Sequence, residues 1–216
     1  MRCRRTLRNV QRGLASGPGF CLVRLVKLFV LTTLLAFSAH AAELSLKDVD
    51  GAVQRPLADA GQAATVLFFV LHDCPIANAF APEISRIAEE YRGRGVRAYV
   101  VYGEDDLSPA DAKKHAREYA YRCPVLLDPK RALIAAAGAT VSPEAAVFSV
   151  KGALLYRGRI DDRAIAPGKH RAEPHERDLR AALDAILAGK PIRERFTRAI
   201  GCYLPQASDN PAPLKP

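Results

Sequence analysis

Residues 65–80 read TVLFFVLHDCPIANAF, and this stretch decides the fold. Residues 65–71 form a continuous apolar run, rich in β-branched and aromatic side chains, which predicts a strand buried on both faces of a parallel or mixed sheet. Cys74 follows this strand, and Pro75 stands where a first helical residue needs no N–H. Apolar residues then recur at helical spacing up to the Gly-Arg-Gly sequence at 93–95, which ends the helix. The stretch therefore predicts a strand, a turn that carries Cys74, and a helix.

The rest of the chain continues to alternate between strands and helices. Further strands are predicted at 96–102, 125–127, 145–150 and 153–156, and further helices at 109–121, 130–137 and 179–187. Beyond residue 192 only the patch 200–204 looks compact. The order strand-helix-strand, an inserted helical segment, and strand-strand-helix predicts an α/β fold, with a central mixed β-sheet flanked by helices on both faces.

The first 41 residues are predicted to be a signal peptide. Seven basic residues and no acid precede the apolar run 28–37, which is too short to span a bilayer comfortably. Ala39-His40-Ala41 then supplies the small-x-small pattern at which a signal peptide is cut, so cleavage is expected before Ala42. An uncleaved membrane anchor is the alternative. A cleaved chain is expected to be periplasmic or secreted and not stably inserted in a membrane.

Removing this segment changes the balance of charge. The whole chain has 32 Lys+Arg against 23 Asp+Glu, a net charge of +9; without the seven basic residues of the segment, 25 stand against 23. The basic balance is mainly a targeting feature, so a nucleic-acid-binding function loses its support. About 175 residues remain, enough for one domain with a core. We predict a domain over 42–204 and a flexible Pro-rich tail over 205–216.

The cysteines indicate a reactive thiol. Cys3 and Cys21 leave with the signal peptide, and Cys74, Cys123 and Cys202 stay. An exported protein with three cysteines is no disulfide-stapled miniprotein, and at least one thiol is left either reactive or transiently paired.

Cys74 is the candidate nucleophile. At the start of a helix, its sulfur would meet unpaired N–H groups and the positive end of the helix dipole, which favour the thiolate that attacks disulfides and peroxides. A buried structural cysteine is the alternative. Asp73 is expected to cap the helix through its carboxylate, and His72 to tune the thiolate or to hydrogen-bond locally.

The sequence resembles the thioredoxin superfamily, and in particular the peroxiredoxin-like (AhpC/TSA-type) redoxins exported by bacteria. The matching residues are Cys74 after a strand, Pro82 eight positions later, and Ser142-Pro143 before the strand at 145–150. The resemblance covers about 44–204, including Gly201-Cys202. It implies that Pro82 kinks the helix and that the Ser142–Pro143 bond is cis, lies beside the active sulfur and helps to bind the substrate chain.

Three departures from the family pattern bear on the activity. Ala77 stands where thioredoxins have the second cysteine of Cys-x-x-Cys. Leu67 and Leu71 occupy the offsets at which true peroxiredoxins have a proline and a threonine or serine. The region of Pro143 and Glu144 supplies no arginine. Disulfide exchange and peroxide reduction, which would give an antioxidant role, therefore both stay open.

The sequence predicts an exported thiol oxidoreductase that acts on protein thiols and disulfides or on small peroxides, without a cofactor. Cys74 is the predicted catalytic residue, with Cys202 first and Cys123 second as candidates to resolve its oxidised form. This function requires Cys74 to be reachable from solvent, with the proline loop beside it. The alternatives are a redoxin-fold copper-binding assembly factor that uses His72 and Cys74, and a catalytically idle fold that docks partners.

Overall fold

The computed structural model describes residues 44–58 and 61–206. Its strands are β1 (Leu46–Lys47), β2 (Val53–Gln54), β3 (Ala64–Phe69), β4 (Val96–Tyr102), β5 (Val125–Leu127), β6 (Val141–Ser142), β7 (Glu144–Ser149), β8 (Leu154–Gly158), β9 (Ala164–Ala166), β10 (Lys169–His170) and β11 (Cys202–Tyr203). Its helices are α1 (Pro75–Arg92), α2 (Pro109–Glu118), α3 (Ala132–Ala137) and α4 (Asp178–Leu187). The predicted signal peptide, and the predicted tail beyond residue 206, lie outside the described residues.

A five-stranded sheet in the order β5-β4-β3-β7-β8 forms the centre of the fold. Strands β5, β4 and β3 run parallel to one another, whereas β7 is antiparallel to both β3 and β8. Every residue of β3 is buried, and because side chains alternate between the two faces of a strand, both faces of the sheet are covered there. The predicted α/β fold with a central mixed sheet is confirmed.

Large side chains of the sheet fill the core. Phe68, Phe69, Tyr102 and Tyr156 are fully shielded from solvent. Burial of one such side chain contributes about 1.5–3 kcal/mol, so the hydrophobic effect fixes the register of the strands that carry them. The carboxyl end of β3, where the candidate nucleophile follows, is therefore a rigid position.

Helix α1 begins where the sequence predicts. Pro75 is its first residue and Gly93 follows its last. Pro82 lies inside the helix, exposed to solvent, as predicted. Its missing N–H leaves one carbonyl of the preceding turn without a helical partner. The kink expected at Pro82 stays a prediction.

Short strands depart most from the sequence prediction. The region around His170, where the sequence predicts neither a strand nor a helix, forms the antiparallel pair β9–β10. The patch at 200–204 contributes β11, which pairs antiparallel with β6. Strands of two or three residues have no periodicity to detect, and tertiary contacts decide whether they form. Within the described part of the chain, no helix is both long enough and apolar enough to cross a membrane.

Candidate active site

Cys74 lies at the junction of β3 and α1 and is itself the N-cap residue of the helix. Its backbone N–H donates to the Leu71 carbonyl oxygen at 3.2 Å, which forms the turn out of the strand. Its Sγ accepts the Ala77 N–H at 3.5 Å. The helix start therefore directs an otherwise unpaired N–H at the sulfur, as the sequence predicts.

Asp73 does not cap the helix, so that prediction is wrong. The cap side chain is that of Cys74, one residue further on, and Asp73 is exposed. Residues with extended backbone at an N-cap hold their own side chain against the N–H groups of the first turn, and Cys74 has this conformation with φ −80° and ψ 109°.

The loop of Ser142 and Pro143 lies against the same sulfur. The Ser142–Pro143 peptide bond is cis, as predicted. Cys74 Sγ donates to the Ser142 carbonyl oxygen at 3.2 Å, and Ser142 Oγ accepts the Leu71 N–H at 2.8 Å. Two contacts thus tie the buried loop to the end of β3, one through the backbone of Ser142 and one through its side chain.

Glu144 fixes the other side of this loop. Its Oε2 accepts the backbone N–H groups of Thr140 at 2.7 Å and Val141 at 3.3 Å, and its Oε1 lies 3.5 Å from Arg157 Nε. The carboxylate is buried, so these contacts offset its loss of hydration. The loop that meets Cys74 is held from both sides.

Cys202 is the cysteine that the fold brings to Cys74. The two residues are 128 positions apart in the sequence, yet their Sγ atoms lie 2.7 Å apart as free thiols. This distance exceeds a disulfide bond of about 2.05 Å by less than about 1 Å. Burial, followed by the hydrogen bond and charge of Cys74 and then the charge of Asp73, raises the pKa of Cys202 to about 11. Cys202 therefore keeps its proton at neutral pH and donates it to the sulfur of Cys74.

Cys74 is not directly open to solvent, which corrects the expectation of a reachable sulfur. Only 1% of the residue is exposed. Cys202, which is partly exposed, lies against it. The residue that the predicted chemistry needs as a resolving thiol thus also covers the nucleophile.

Cys123 lines a groove that does not include Cys74. Tyr99 and Pro124 line the same groove beside β4 and β5, and burial raises the pKa of the Cys123 thiol to about 12. The geometry thus favours Cys202 over Cys123 as the partner of Cys74.

His72 pairs with a carboxylate that the sequence analysis did not single out. Its Nδ1 lies 2.7 Å from Glu104 Oε1, which also accepts the His72 backbone N–H at 3.0 Å. The hydrogen bond to Glu104 raises the pKa of His72. His72 forms a hydrogen bond, but its partner is 32 positions away in the sequence and not local to the turn. The alternative that His72 tunes the thiolate stays a prediction.

A group of three side chains near the site has the composition of a metal site. One ligand atom from each of His72, Asp73 and Glu104 lies within 4.8 Å of the others. Imidazole with carboxylates suits several divalent metals. In the described part of the chain this group does not include Cys74, which the copper-binding alternative requires.

His115 is a second histidine near the site that the sequence did not indicate. Its Nδ1 lies 2.6 Å from the Tyr102 hydroxyl and its Nε2 lies 3.0 Å from Asn78 Oδ1. Asn78 in turn donates to the His72 carbonyl oxygen at 3.1 Å. Burial lowers the pKa of His115, and the neighbouring charge of His72 adds to this shift. A neutral buried imidazole thus links α2, β4 and the start of α1.

An apolar groove of about 310 Å³ runs beside the start of α1. Pro75, Ile76 and Phe80 form one wall, and the β9–β10 pair forms the other. Arg163 places its guanidinium 5.3 Å from the centre of the Phe80 ring. The pattern Ala-Ile-Ala-Pro-Gly at 164–168 is the one sequence signal that could have indicated this hairpin.

Comparisons with known proteins agree with this fold. A model of the AhpC/TSA family matches residues 38–157. An uncharacterised conserved protein from Geobacillus kaustophilus is 30% identical, with 81% of this chain and 92% of that chain covered and a TM-score of 0.67. A hypothetical protein from Sinorhizobium meliloti is 26% identical, with 76% and 91% covered and a TM-score of 0.66. A putative thioredoxin from Neisseria meningitidis, 20% identical over 67% of this chain and 87% of its own with a TM-score of 0.50, shares the fold. None of the curated sequences compared with the chain matches it.

Proposed function

Because the chain belongs to the AhpC/TSA family of thioredoxin-like redoxins, we propose that it is a thiol-disulfide oxidoreductase whose redox pair is Cys74 and Cys202. Membership of this family supports a thiol oxidoreductase in general. The observation that carries the specific proposal is the 2.7 Å between the two Sγ atoms, at the start of a helix and beside a cis-proline loop.

The reaction begins on the reduced protein. The Cys74 thiolate attacks one sulfur of a partner's disulfide; a bond forms between Cys74 and that sulfur, and the partner's second sulfur leaves as a thiolate. Cys202 then attacks the sulfur of Cys74; the bond between Cys74 and the partner breaks, and the partner's first sulfur leaves with the proton of Cys202. The thiolate released earlier takes a proton from water, so the partner is released as a dithiol and the protein keeps a Cys74–Cys202 disulfide. An outside dithiol reduces this bridge and restores the starting state.

Positions around the sulfur support each step. The Ala77 N–H donates to Cys74 Sγ and so stabilises negative charge on it. Cys202 holds its proton until a thiolate accepts it, since its pKa is raised to about 11. Ser142 and Pro143 form the loop at which the partner chain is proposed to bind. His72, Asp73, Pro75 and Pro82 support the site by shaping the turn and the helix that carry Cys74.

Disulfide exchange is favoured over peroxide reduction by the residues at three positions of the family pattern. Leu67 and Leu71 are buried at the positions where peroxiredoxins have a proline and a hydroxyl residue. Glu144, which follows the proline loop, binds Arg157 and two backbone N–H groups. A peroxide would meet neither the expected hydroxyl group nor a free cation on these residues.

One equivalent of a small disulfide or of hydrogen peroxide, added to the reduced full chain, tests the proposal. We expect the disulfide to yield a Cys74–Cys202 bridge by peptide mass spectrometry. The Cys202→Ser variant should stop at a mixed disulfide on Cys74, and Cys74→Ser should give neither product. A bridge from peroxide through a sulfenic acid on Cys74 would instead assign peroxide reduction. Absence of any modification of Cys74 would contradict both reactions.

The copper-binding alternative uses His72 and Cys74, and of these only His72 lies in the group with Asp73 and Glu104. The sulfur of Cys74 contacts Cys202, Ser142 and Ala77, so its contacts favour redox chemistry. Metal analysis of protein purified without tag or chelator separates the two functions, because stoichiometric copper lost in His72→Gln would support the alternative.

Export to the periplasm or medium is proposed from the amino-terminal sequence. Cleavage before Ala42 would be observed as a mature amino terminus at that residue. An oxidising compartment would supply the disulfides on which the proposed reaction depends.

A further inference from the structure

Strand β11 occupies the edge at which a partner chain is proposed to bind. Cys202 pairs antiparallel with Ser142 and Tyr203 with Val141, next to the cis-proline loop. The Leu204 N–H donates to the Thr140 carbonyl oxygen at 3.0 Å and extends this pairing. The protein therefore already holds an extended, cysteine-containing segment at its own site.

This segment closes the site. Cys74 is 1% exposed with β11 in place, and its Sγ contacts Cys202 and the Ser142 carbonyl. An outside disulfide cannot approach a sulfur covered in this way. Residues 200–204 must leave β6 before Cys74 can react with a partner.

The residue before Cys202 is restricted to glycine by contact with the proline loop. A Cβ atom at Gly201 would overlap the carbonyl oxygen of Ser142 and would come within 3.1 Å of the Pro143 nitrogen. These are backbone atoms of a buried loop, so they cannot move aside as a flexible side chain would. Any chain that follows the path of β11 needs glycine at this position.

The residues after Cys202 differ sharply in burial. Tyr203 is 87% exposed, whereas Leu204 is 3% exposed and packs in the core. The first position after the cysteine therefore accepts any side chain, and the second fills an apolar cavity. The path of β11 defines a pattern of glycine, cysteine, any residue and a large apolar residue.

We propose that residues 200–204 act as an internal stand-in for the substrate, and that the partner is an extended protein segment of the pattern Gly-Cys-x-Leu whose cysteine is in a disulfide. This inference rests on the proposed function. The partner segment replaces β11 on β6 by strand addition, with main-chain hydrogen bonds for affinity and the Gly and Leu positions for specificity.

The chemistry of the exchange follows from this replacement. With the partner on β6, its cysteine sulfur takes the place of Cys202 Sγ, and the Cys74 thiolate attacks it while the second sulfur of the partner's disulfide leaves. The partner's cysteine is then joined to Cys74 in a mixed disulfide. As β11 returns to β6, Cys202 attacks the sulfur of Cys74, the bond between Cys74 and the partner's cysteine breaks, and that cysteine leaves with the proton of Cys202. Because β11 and the partner segment compete for the same edge of β6, the release of the reduced partner is coupled to the oxidation of Cys202.

Gly201→Ala in the full chain tests the inference, because it forces β11 off the loop without removing a cysteine. The probe is the peptide AIGCYLP, the sequence of residues 199–205, with its cysteine joined to thionitrobenzoate. Release of coloured thionitrobenzoate gives the rate. We expect the variant to react at least about tenfold faster than the natural chain, since the reactive fraction is no longer limited by the opening of β11. Gly93→Ala is the matched control, because a Cβ there has nothing within 4 Å, and it should leave the rate unchanged.

Peptide variants test the specificity. With the Gly201→Ala protein, two changes to the peptide should each lower the rate by at least about tenfold. Alanine in place of its glycine would clash with the proline loop, and aspartate in place of its leucine would lose the apolar contact. A tenfold change corresponds to about 1.4 kcal/mol of activation free energy. Equal rates for all three peptides would overturn the inference. Leu204→Ser, which weakens the anchor of β11 and keeps Gly201, provides the same test if circular dichroism finds that Gly201→Ala is unfolded.

A small disulfide without peptide separates this inference from the proposed function. If hydroxyethyl disulfide oxidises the chain to the Cys74–Cys202 bridge while β11 variants and peptides have no effect on rates, only the stand-in role is wrong. If no disulfide reacts with Cys74 in any variant, the proposed function itself is wrong.

Discussion

At the scale of single residues, the thiols of Cys74 and Cys202 are in contact but have different surroundings. Cys202 donates to Cys74, and burial together with the neighbouring sulfur raises its pKa to about 11. Cys202 is therefore the donor in this contact, and Cys74 Sγ accepts both its S–H and the Ala77 N–H. In the proposed reaction, the position of each sulfur assigns Cys74 the role of nucleophile and Cys202 the role of proton donor.

Alkylation against pH measures this division. A raised pKa means that Cys202 stays protonated through neutral pH and reacts as a thiolate only as the pH rises through about 11. In reduced Cys74→Ser protein, the hydrogen bond and the charge of Cys74 are gone, so the alkylation midpoint of Cys202 should fall toward the ordinary value of 9.0. Peptide mass spectrometry after pulsed treatment with iodoacetamide gives the alkylation midpoint of Cys202 in the natural chain and in the Cys74→Ser variant. An unchanged midpoint would mean that burial alone, and not Cys74, raises the pKa.

At the scale of elements, one imidazole joins a helix to its neighbours. His115 on α2 bonds Tyr102 of β4 and Asn78 of α1. Replacing it with phenylalanine leaves the buried Tyr102 hydroxyl without a partner, which costs about 1–3 kcal/mol of unfolding free energy. The link reaches the first turns of α1 at Asn78, four residues after Cys74.

The two histidines should give the stability opposite dependences on pH. Burial lowers the pKa of His115 from 6.5. Near this pH the unfolded chain therefore binds more protons than the folded chain, and the stability that neutral His115 contributes is lost as the pH falls below 6.5. The pKa of His72 is raised from 6.5 by Glu104, so its contribution is present below 6.5 and lost as pH rises through the raised value. Urea unfolding between pH 5 and pH 8 should therefore show a smaller rise of stability with pH in His115→Gln, and a larger rise in His72→Gln. Parallel pH profiles for both variants and the natural chain would contradict this.

The sequence predicts long elements well and short ones poorly, for a physical reason. Strand β4, strand β5 and helix α1 agree with their predicted bounds because each is specified by apolar periodicity and local end signals. The pairs β9–β10 and β6–β11 form through contacts between distant segments, which no local pattern records. The motif residues Cys74, Pro143 and Cys202 could be found in the sequence. The cover over Cys74 and the partners Glu104 and His115 could not, because they depend on which segments meet in three dimensions.

At the scale of the whole molecule, the two cysteines connect the centre of the sheet to the last described strand. A bridge between them would close a loop across 128 positions. In the chain-entropy model, a closed loop of this size removes disorder from the unfolded chain and favours the folded one by about 4–5 kcal/mol. The redox state of one pair is therefore expected to change the stability of the whole domain.

Thermal unfolding of both redox forms tests this expectation. The oxidised protein should melt roughly 10–15 °C above the reduced protein. The Cys202→Ser variant should have the same melting temperature with and without oxidant. The Cys123→Ser variant should show the same difference between its oxidised and reduced forms as the natural chain. Equal melting temperatures for the two forms of the natural chain would indicate that the bridge strains the fold by as much as it restricts the unfolded state.

Because Cys74 and Cys202 are far apart in the sequence, they are also translated at different times. Ribosomes build a protein from its amino end, so Cys74 and Cys123 emerge while Cys202 is still untranslated. Until Cys202 is translated, Cys123 is the one other thiol of the predicted mature domain that Cys74 can meet. A disulfide between Cys74 and Cys123 is therefore the error expected in unfinished or truncated copies, and the translation of Cys202 ends this period.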